Sequence, residues 1–212
     1  MIVVLLLFVL SYPQTLLHAV AQPEVHPKTD LVEIVQLDSS IKLDIRYATS
    51  NNFMRRAMYT HAHAFLQRPA AEALVRAHAR LKRLGYGILV FDAYRPWSVT
   101  KQFWDETPPA QRKFVANPKE GSKHNRGCAV DLSLYDLTTG KEVSMPSAYD
   151  EFTDRASASY RGGTAQQRRL RDMLRAAMEA EGFSVNPHEW WHFDFHAWRE
   201  YPVLDIPLDR LK

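Results

Sequence analysis

Two short polar segments, one past the middle of the chain and one near its end, impose the strongest constraint on the fold. The first runs from Ser122 to Asp131 and contains His124, and the second runs from Glu189 to His192. Two imidazoles and one carboxylate (His124, Asp131 and His192) can hold a Zn²⁺ ion and leave its fourth position open for water. The remaining Glu189 can then take a proton from that water. A fold that supports this chemistry must bring both segments together.

The first segment cannot hold a metal as a helix. On a helix, His124 and Asp131 would lie about two turns apart, too far to share an ion at about 2 Å from each. A turn through Gly127 that leads into a strand can bring both side chains to one centre. The spacing alone also permits two ordinary explanations, namely a surface histidine in a glycine-containing loop and a carboxylate at a strand end.

The second segment contains H-E-x-x-H, a zinc-binding pattern that works only on a helix. Here Pro187 and the many surrounding aromatic residues favour a strand. In an extended chain, His188 and His192 lie about 13 Å apart and cannot bind the same ion. We therefore expect His192 to be the ligand and Glu189 the base, with His188 exposed or behind the ligands. An ordinary loop carboxylate remains the alternative for Glu189.

Composition limits the protein to a small set of classes. The chain has 212 residues, of which 46% are hydrophobic and 24% charged, as expected for one globular domain or at most two small ones. The net charge of +3 comes from scattered basic residues, which argues against nucleic acid as a partner. Cys128 is the sole cysteine, so no intrachain disulfide can form. We expect a packed thiol there, not a nucleophile.

The N-terminus has the pattern of a secretory signal. An apolar run over residues 2–10 is followed by Ala19 and Ala21 in the A-x-A arrangement, which predicts a signal peptide over residues 1–21. The run is too short for a stable membrane anchor. We expect export to the periplasm and a single mature domain over residues 22–212. An uncleaved anchor is the alternative, because no Lys or Arg precedes the apolar run.

Hydrophobic periodicity predicts alternating strands and helices along the rest of the chain. The predicted strands cover residues 31–37, 41–47, 86–91, 129–135 and 183–195. The predicted helices cover residues 70–84, 98–105 and 166–181. Residues 147–163 lack periodicity, and we expect a long loop of the kind that often carries function.

Taken together, these motifs resemble the VanX-type D-alanyl-D-alanine dipeptidases, part of a wider group of zinc D-Ala-D-Ala peptidases. The wider group carries S-x-H-x-x-G-x-A-x-D followed by E-x-W-H. This chain matches at Ser122, His124, Gly127, Ala129, Asp131, Glu189, Trp191 and His192. Further segments resemble the dipeptidase branch, namely 44–49, 51–53, 92–96 and 131–135. The resemblance covers most of the chain from about Leu31 and implies an α+β fold, with a central antiparallel sheet carrying one Zn²⁺ per chain and helices flanking it.

The resemblance also implies a reaction, the hydrolysis of D-alanyl-D-alanine to two D-alanines with Glu189 as general base. Arg95 is expected to stabilise the oxyanion, whereas without the resemblance a salt bridge to Asp92 or another carboxylate is the favoured role. Asp150, in the long loop, is the candidate for binding the substrate ammonium. Ser122 is expected to contact substrate, with a turn-forming role as its alternative.

Two rival functions share this residue set. One is a D,D- or L,D-carboxypeptidase acting on peptidoglycan stem peptides, which needs an open groove where a dipeptidase needs a small closed pocket. The loop over residues 146–163 could close such a pocket, but the sequence does not prove that it does. The other is a non-catalytic zinc-binding module, and the presence of both Glu189 and Arg95 argues against it. The sequence indicates no obligate protein partner, and an exported dipeptidase fits recovery of D-alanine from the cell wall.

Overall fold

A five-stranded sheet forms the centre of the protein in the computed structural model, which describes residues 29–211. The strand order is β2-β4-β5-β7-β6. The strands are β2 (Lys42–Leu43), β4 (Tyr86–Asp92), β5 (Ala129–Asp136), β6 (Phe183–Asn186) and β7 (Glu189–Phe195). Their pairings are antiparallel except at one edge, where β2 runs parallel to β4. The α+β prediction is confirmed, and the sheet is antiparallel apart from that two-residue edge strand.

The N-terminal strands are shorter than their hydrophobic patterns predict. β1 (Leu31–Glu33) pairs with β3 (Phe65–Gln67) in a separate two-stranded sheet. The chain then turns into α1 (Ile34–Leu37), because Ile34 is fully buried and its amide donates to the carbonyl of Ala64. The prediction of a strand over residues 41–47 is correct only at β2 and wrong beyond it, because a 3₁₀ turn follows at Arg46–Ala48. The predicted signal peptide lies outside the described residues.

Three longer helices complete the fold: α2 (Arg68–Lys82), α3 (Trp97–Glu106) and α4 (Ala165–Glu179). α2 packs on β4, α4 packs on β5 and β7, and the two helices contact each other. Thr164 and Gln167 form a reciprocal capping box that fixes the start of α4. Among residues 29–211, no helix has the length and apolar character needed to cross a membrane.

The aromatic segment near the C-terminus is a hairpin, not the single strand that its composition predicts. β6 and β7 pair antiparallel around a turn at Pro187 and His188. The rejection of a helical H-E-x-x-H site is therefore correct, and His188 is exposed. Trp190 and Trp191 are buried and supply much of the packing beside the sheet. Residues 147–163 form the expected irregular loop, with one 3₁₀ turn.

Candidate metal centre

The sheet register places two of the predicted ligands opposite each other. Asp131 on β5 pairs directly with His192 on β7, so both side chains leave the same face of the sheet. His124 lies in a 3₁₀ turn that ends at Gly127. Gly127 has φ +67°, and a Cβ there would come within 2.4 Å of the side chain of Leu31. The backbone conformation therefore favours glycine at this turn, and a Cβ would also crowd the backbone nitrogen of Gln67 at 3.3 Å.

Three ligand atoms of these residues form a compact triangle. His124 Nε2 lies 3.1 Å from His192 Nδ1 and 3.3 Å from Asp131 Oδ1, and the last two atoms are 3.0 Å apart. A tetrahedral zinc ion with bonds of about 2.0 Å separates its ligands by about 3.3 Å. All three side chains are buried. The donor set and its spacing therefore fit one Zn²⁺ ion with one further position.

Hydrogen bonds on the outer sides of both imidazoles fix their tautomers. His124 Nδ1 lies 2.7 Å from the carbonyl oxygen of Ala93, and His192 Nε2 lies 2.9 Å from Asp194 Oδ1. Both partners are acceptors, so each outer nitrogen carries the proton and donates it. The inner nitrogens face the same point and are the atoms that a metal ion would bind there, as in metal-binding histidines.

The carboxylate of Asp131 is also held from outside. Tyr149, in the long loop, donates its hydroxyl to Asp131 Oδ2 at 2.9 Å. Although burial opposes ionisation, the neighbouring His124 and His192 lower the pKa of Asp131 well below its ordinary value. Asp131 is therefore an ionised carboxylate with one oxygen directed to the histidines and the other to the loop.

Glu189 lies at the edge of this triangle. Its Oε2 atom is 3.8 Å from His192 Nδ1 and accepts a hydrogen bond of 2.8 Å from the side-chain amide of Asn186. Burial raises the pKa of Glu189, which makes its carboxylate a better proton acceptor. The hairpin turn between β6 and β7 brings Glu189 and Asn186 together. The carboxylate is thus oriented beside the proposed metal position.

Arg95 forms the salt bridge to Asp92 that the sequence leaves open, and it also reaches the border of the cluster. Its Nε and Nη2 atoms donate to Asp92 Oδ2 at 3.0 and 2.6 Å. The same Nη2 atom lies 3.9 Å from Asp131 Oδ2, at the border of the metal cluster. Although burial opposes it, Asp92 raises the pKa of Arg95 well above its ordinary value, so the guanidinium stays charged. Tyr59 donates to the other oxygen of Asp92 at 2.8 Å and completes this anchor.

Asp150 contacts the neighbourhood of the site through Tyr47, whose hydroxyl lies 3.1 Å from Asp150 Oδ2. Burial and the nearby Asp131 carboxylate raise the pKa of Asp150 to about 8. Its backbone has φ +57°, a conformation that Asp and Asn adopt more readily than most residues. A cationic group from a substrate would favour the ionised form of this carboxyl.

Ser122 has the turn-forming role that the sequence left open. Its hydroxyl oxygen accepts a hydrogen bond of 3.2 Å from the amide of His124. Its own amide donates to Asn125 Oδ1 at 2.7 Å. Asn125 is fully buried and also donates to the carbonyl of Arg95 at 2.8 Å. Ser122 and Asn125 therefore set the shape of the turn that carries the first histidine.

Sequence reasoning missed several residues that surround the cluster. Asp194 was detectable, because a side chain two positions after His192 on a strand lies on the same face. Tyr149 and Tyr47 had no comparable signal, since their contacts depend on how loops distant in sequence pack together. Cys128 is buried, and burial raises the pKa of its thiol to about 12, as expected for a packed side chain.

Comparison with known proteins places this arrangement in a family. The D-ala-D-ala dipeptidase family matches residues 27–202. A D-alanyl-D-alanine dipeptidase of Escherichia coli (strain K12) is 31% identical over 176 residues, which cover 83% of this chain and 90% of that protein. The enzyme of the same name from Enterococcus faecium is 32% identical over 203 residues, or 85% of this chain and 97% of that protein. A third, from Streptomyces coelicolor, is 31% identical over 198 residues, covering 85% and 96%.

These matches span most of the chain and most of each relative, and they agree with a buried His-Asp-His cluster that fits zinc. The expected zinc cofactor and peptidase class are confirmed together. The chain therefore belongs to the D-ala-D-ala dipeptidase family of zinc metallopeptidases.

Proposed function

We propose that the protein hydrolyses D-alanyl-D-alanine to two D-alanines, with zinc held by His124, Asp131 and His192. One observation carries the proposal, the placement of a base and a cation at the same cluster. The Glu189 carboxylate lies 3.8 Å from a ligand atom of His192, and the Arg95 guanidinium lies 3.9 Å from Asp131. A non-catalytic zinc module needs neither group beside its ligands.

Proton transfer is assigned to Glu189. When bound, zinc supplies Lewis acidity that polarises the scissile carbonyl and lowers the pKa of water. Glu189 Oε2 accepts the proton of the attacking water and returns it to the nitrogen of the leaving D-alanine. Asn186 donates to this carboxylate at 2.8 Å and keeps it oriented during both transfers.

Stabilisation of the negative charge that develops on the carbonyl oxygen is assigned to Arg95. Asp92 holds the guanidinium through its Nε and Nη2 atoms, so the group is fixed before substrate arrives. A fixed donor costs no reorganisation when negative charge develops in the transition state. The ring of Phe103 lies 4.8 Å from the Arg95 guanidinium carbon and limits its movement further.

The long loop supports a substrate as short as a dipeptide. Tyr149 reaches Asp131, and the adjacent Asp150 contacts Tyr47, so the loop lies against the cluster itself. Further along, Phe152 stacks on Phe114 with ring centroids 4.8 Å apart. A loop held at both points limits the room for residues that extend beyond the substrate amine. Asp150 is assigned the free ammonium of the dipeptide, a group that stem peptides lack at this position.

Substrate length tests this assignment against the carboxypeptidase alternative. We expect D-Ala-D-Ala to be hydrolysed with a kcat/KM at least about 100-fold higher than its N-acetylated form, since acetylation removes the ammonium and adds bulk. Equal rates on both substrates, or faster hydrolysis of a stem pentapeptide, would identify a carboxypeptidase instead. Zinc content is measured in each assay so that metal loss is not mistaken for selectivity.

We also propose that the protein is exported and acts in the periplasm on dipeptide released from the cell wall. The apolar run over residues 2–10 and the A-x-A pattern ending at Ala21 support export. Cell fractionation combined with N-terminal sequencing tests the proposal. A mature protein that begins near Gln22 in the periplasmic fraction is expected, and a full-length cytosolic protein would overturn it.

A further inference from the structure

An ion pair beside the metal cluster has no part in the proposed reaction. Asp194 Oδ1 accepts the hydrogen bond from His192 Nε2 at 2.9 Å, and Asp194 Oδ2 lies 3.1 Å from Lys123 Nζ. The Asp194 side chain is 18% exposed and the Lys123 side chain 39%. The carboxylate is therefore shielded from water on most sides and uses one oxygen for each partner.

The pair connects the two parts of the chain that supply the histidines. Asp194 lies two residues after His192 on β7 and pairs with Ala129 on β5. Lys123 directly precedes His124 in the 3₁₀ turn. Contact between Asp194 and Lys123 consequently ties the strand that carries one ligand to the turn that carries the other.

The hydrogen bond decides which nitrogen of His192 faces the metal. A neutral imidazole carries one proton, and an acceptor at Nε2 keeps it there, which leaves the Nδ1 lone pair for zinc. Without this acceptor the ring also populates the tautomer protonated at Nδ1, which cannot bind the ion. His124 Nδ1 donates the corresponding hydrogen bond to a backbone carbonyl, that of Ala93. The acceptor at Asp194 belongs to a side chain, so this hydrogen bond can be removed by substitution without changing a metal ligand.

We propose that Asp194, held in place by Lys123, is a positioning residue that sets the tautomer and ring orientation of His192 and thereby strengthens zinc binding. The inference rests on the zinc site of the proposed function, and it is independent of the substrate. Removing such an outer partner of a metal-binding histidine commonly weakens metal binding about 10- to 100-fold.

Zinc affinity of the folded protein, measured by competition with a chelator, tests the proposal directly. We expect Asp194→Ala to weaken zinc binding about 10- to 100-fold. Asp194→Asn should have a smaller effect, because its amide oxygen can still accept from His192. Lys123→Gln should weaken binding by about fivefold or less, as expected for a partly exposed ion pair. Asp172→Ala, which removes an exposed carboxylate paired with Arg171 on α4, serves as the matched control and should bind zinc as the wild type does.

A purely structural role is separated from positioning by two readouts. The free energy of unfolding of the zinc-free protein reports the structural part, whereas the visible absorption of the Co²⁺-substituted protein reports ligand geometry. We expect the Co²⁺ spectrum to change in Asp194→Ala and to stay unchanged in Asp172→Ala. Zinc affinity within twofold of wild type in Asp194→Ala would overturn the proposal.

If Asp194→Ala does not fold, Asp194→Asn decides the question, because a neutral amide oxygen is a weaker acceptor than a carboxylate. An unchanged zinc affinity together with an unchanged Co²⁺ spectrum in Asp194→Asn would reject the proposal. Rejection of the positioning role is distinguishable from a failure of the proposed function. A wild type that binds zinc but releases no D-alanine would refute the reaction and leave the positioning role intact. A wild type that binds no zinc would refute both.

Discussion

Asp131 and His192 face each other across β5 and β7, with 3.0 Å between Asp131 Oδ1 and His192 Nδ1. Two of the proposed zinc ligands therefore lie on paired strands inside the sheet. The long loop contacts this site through Tyr149. A site built on paired strands is held in place before the metal arrives. This relationship leads to specific expectations for metal removal.

Zinc removal is expected to abolish activity and lower stability without unfolding the chain, because the ligands lie on a sheet that has its own core. At a free zinc concentration 100 times the dissociation constant, binding stabilises the folded state by about 2.7 kcal/mol. Calorimetry of the zinc-loaded and chelator-treated protein measures the shift in Tm. Identical Tm values in the two samples would contradict a site of this kind.

Zinc affinity should fall as the pH is lowered. Although burial opposes it, hydrogen bonds to Asp131 and Asp194 raise the pKa of His192 well above its ordinary value when no metal is bound. Zinc binding must then displace a proton, so affinity rises with pH. Titration calorimetry in buffers of different ionisation enthalpy measures the protons released. Release of no proton at neutral pH would be inconsistent with His192 as a ligand.

Arg95→Lys is expected to lower kcat by about 10²- to 10³-fold, the usual loss when one donor to a developing oxyanion is removed. Lysine keeps the charge but cannot form the two bonds to Asp92 that fix the guanidinium. Zinc content should stay unchanged. Arg56→Lys is the matched control, because Arg56 forms a similar two-bond pair with Glu106 on the exposed surface. A change in KM alone in Arg95→Lys would argue for a ground-state role instead.

Asp150→Asn is expected to raise KM about 10- to 100-fold with little change in kcat, because one charged hydrogen bond contributes about 1.5–3 kcal/mol to binding. Asparagine tolerates the positive φ of this position, so the backbone should not be strained. Asp154→Asn, an exposed position in the same loop, is the control. Steady-state kinetics on D-Ala-D-Ala makes the measurement, and an unchanged KM would remove Asp150 from the ammonium site.

The buried His78 should make stability depend on pH. The amide of Ile88 donates to its Nδ1 at 3.0 Å, so the ring proton is on Nε2, which faces Ser40 Oγ at 3.0 Å. Burial lowers the pKa of His78, with Asp38 opposing this shift and Lys82 adding to it. A depressed folded-state pKa means that stability is complete above the ordinary histidine value of about 6.5 and is lost as pH falls below it.

Urea unfolding of the wild type and of His78→Gln between pH 7.5 and about pH 5 tests this expectation. The difference in unfolding free energy between the two proteins should shrink as the pH falls. His61→Gln, at an exposed histidine, should follow the wild type throughout. A difference that is constant with pH would contradict the assignment of a neutral, buried ring.

The motif residues could be predicted from sequence because their chemistry is local to a few positions. His124, Asp131 and His192 form one cluster with Glu189 and Arg95 beside it, and Gly127 has the positive φ that its turn demands. The helices were also predictable, since their apolar faces repeat over several turns. The observed helix boundaries differ from the predicted ones by one or two residues at every end.

Other features depended on tertiary contacts that no local pattern encodes. The hairpin turn at Pro187 and His188 was hidden in a continuous aromatic run. Ile34 has the sequence of a strand residue but packs in the core at the start of a helical turn. The hydroxyl of Tyr149 reaches the cluster only because the long loop folds back over β5.

The central claim is hydrolysis of D-alanyl-D-alanine with Glu189 as the base, and release of free D-alanine by the zinc-loaded protein measures it most directly. The wild type is compared with Glu189→Gln, which keeps the shape of the side chain. Glu179→Gln, at an exposed glutamate on α4, is the control. We expect turnover by the wild type and the control, and a loss of about 10²- to 10⁴-fold in Glu189→Gln with zinc still bound. A folded, zinc-containing wild type that releases no D-alanine would contradict the account.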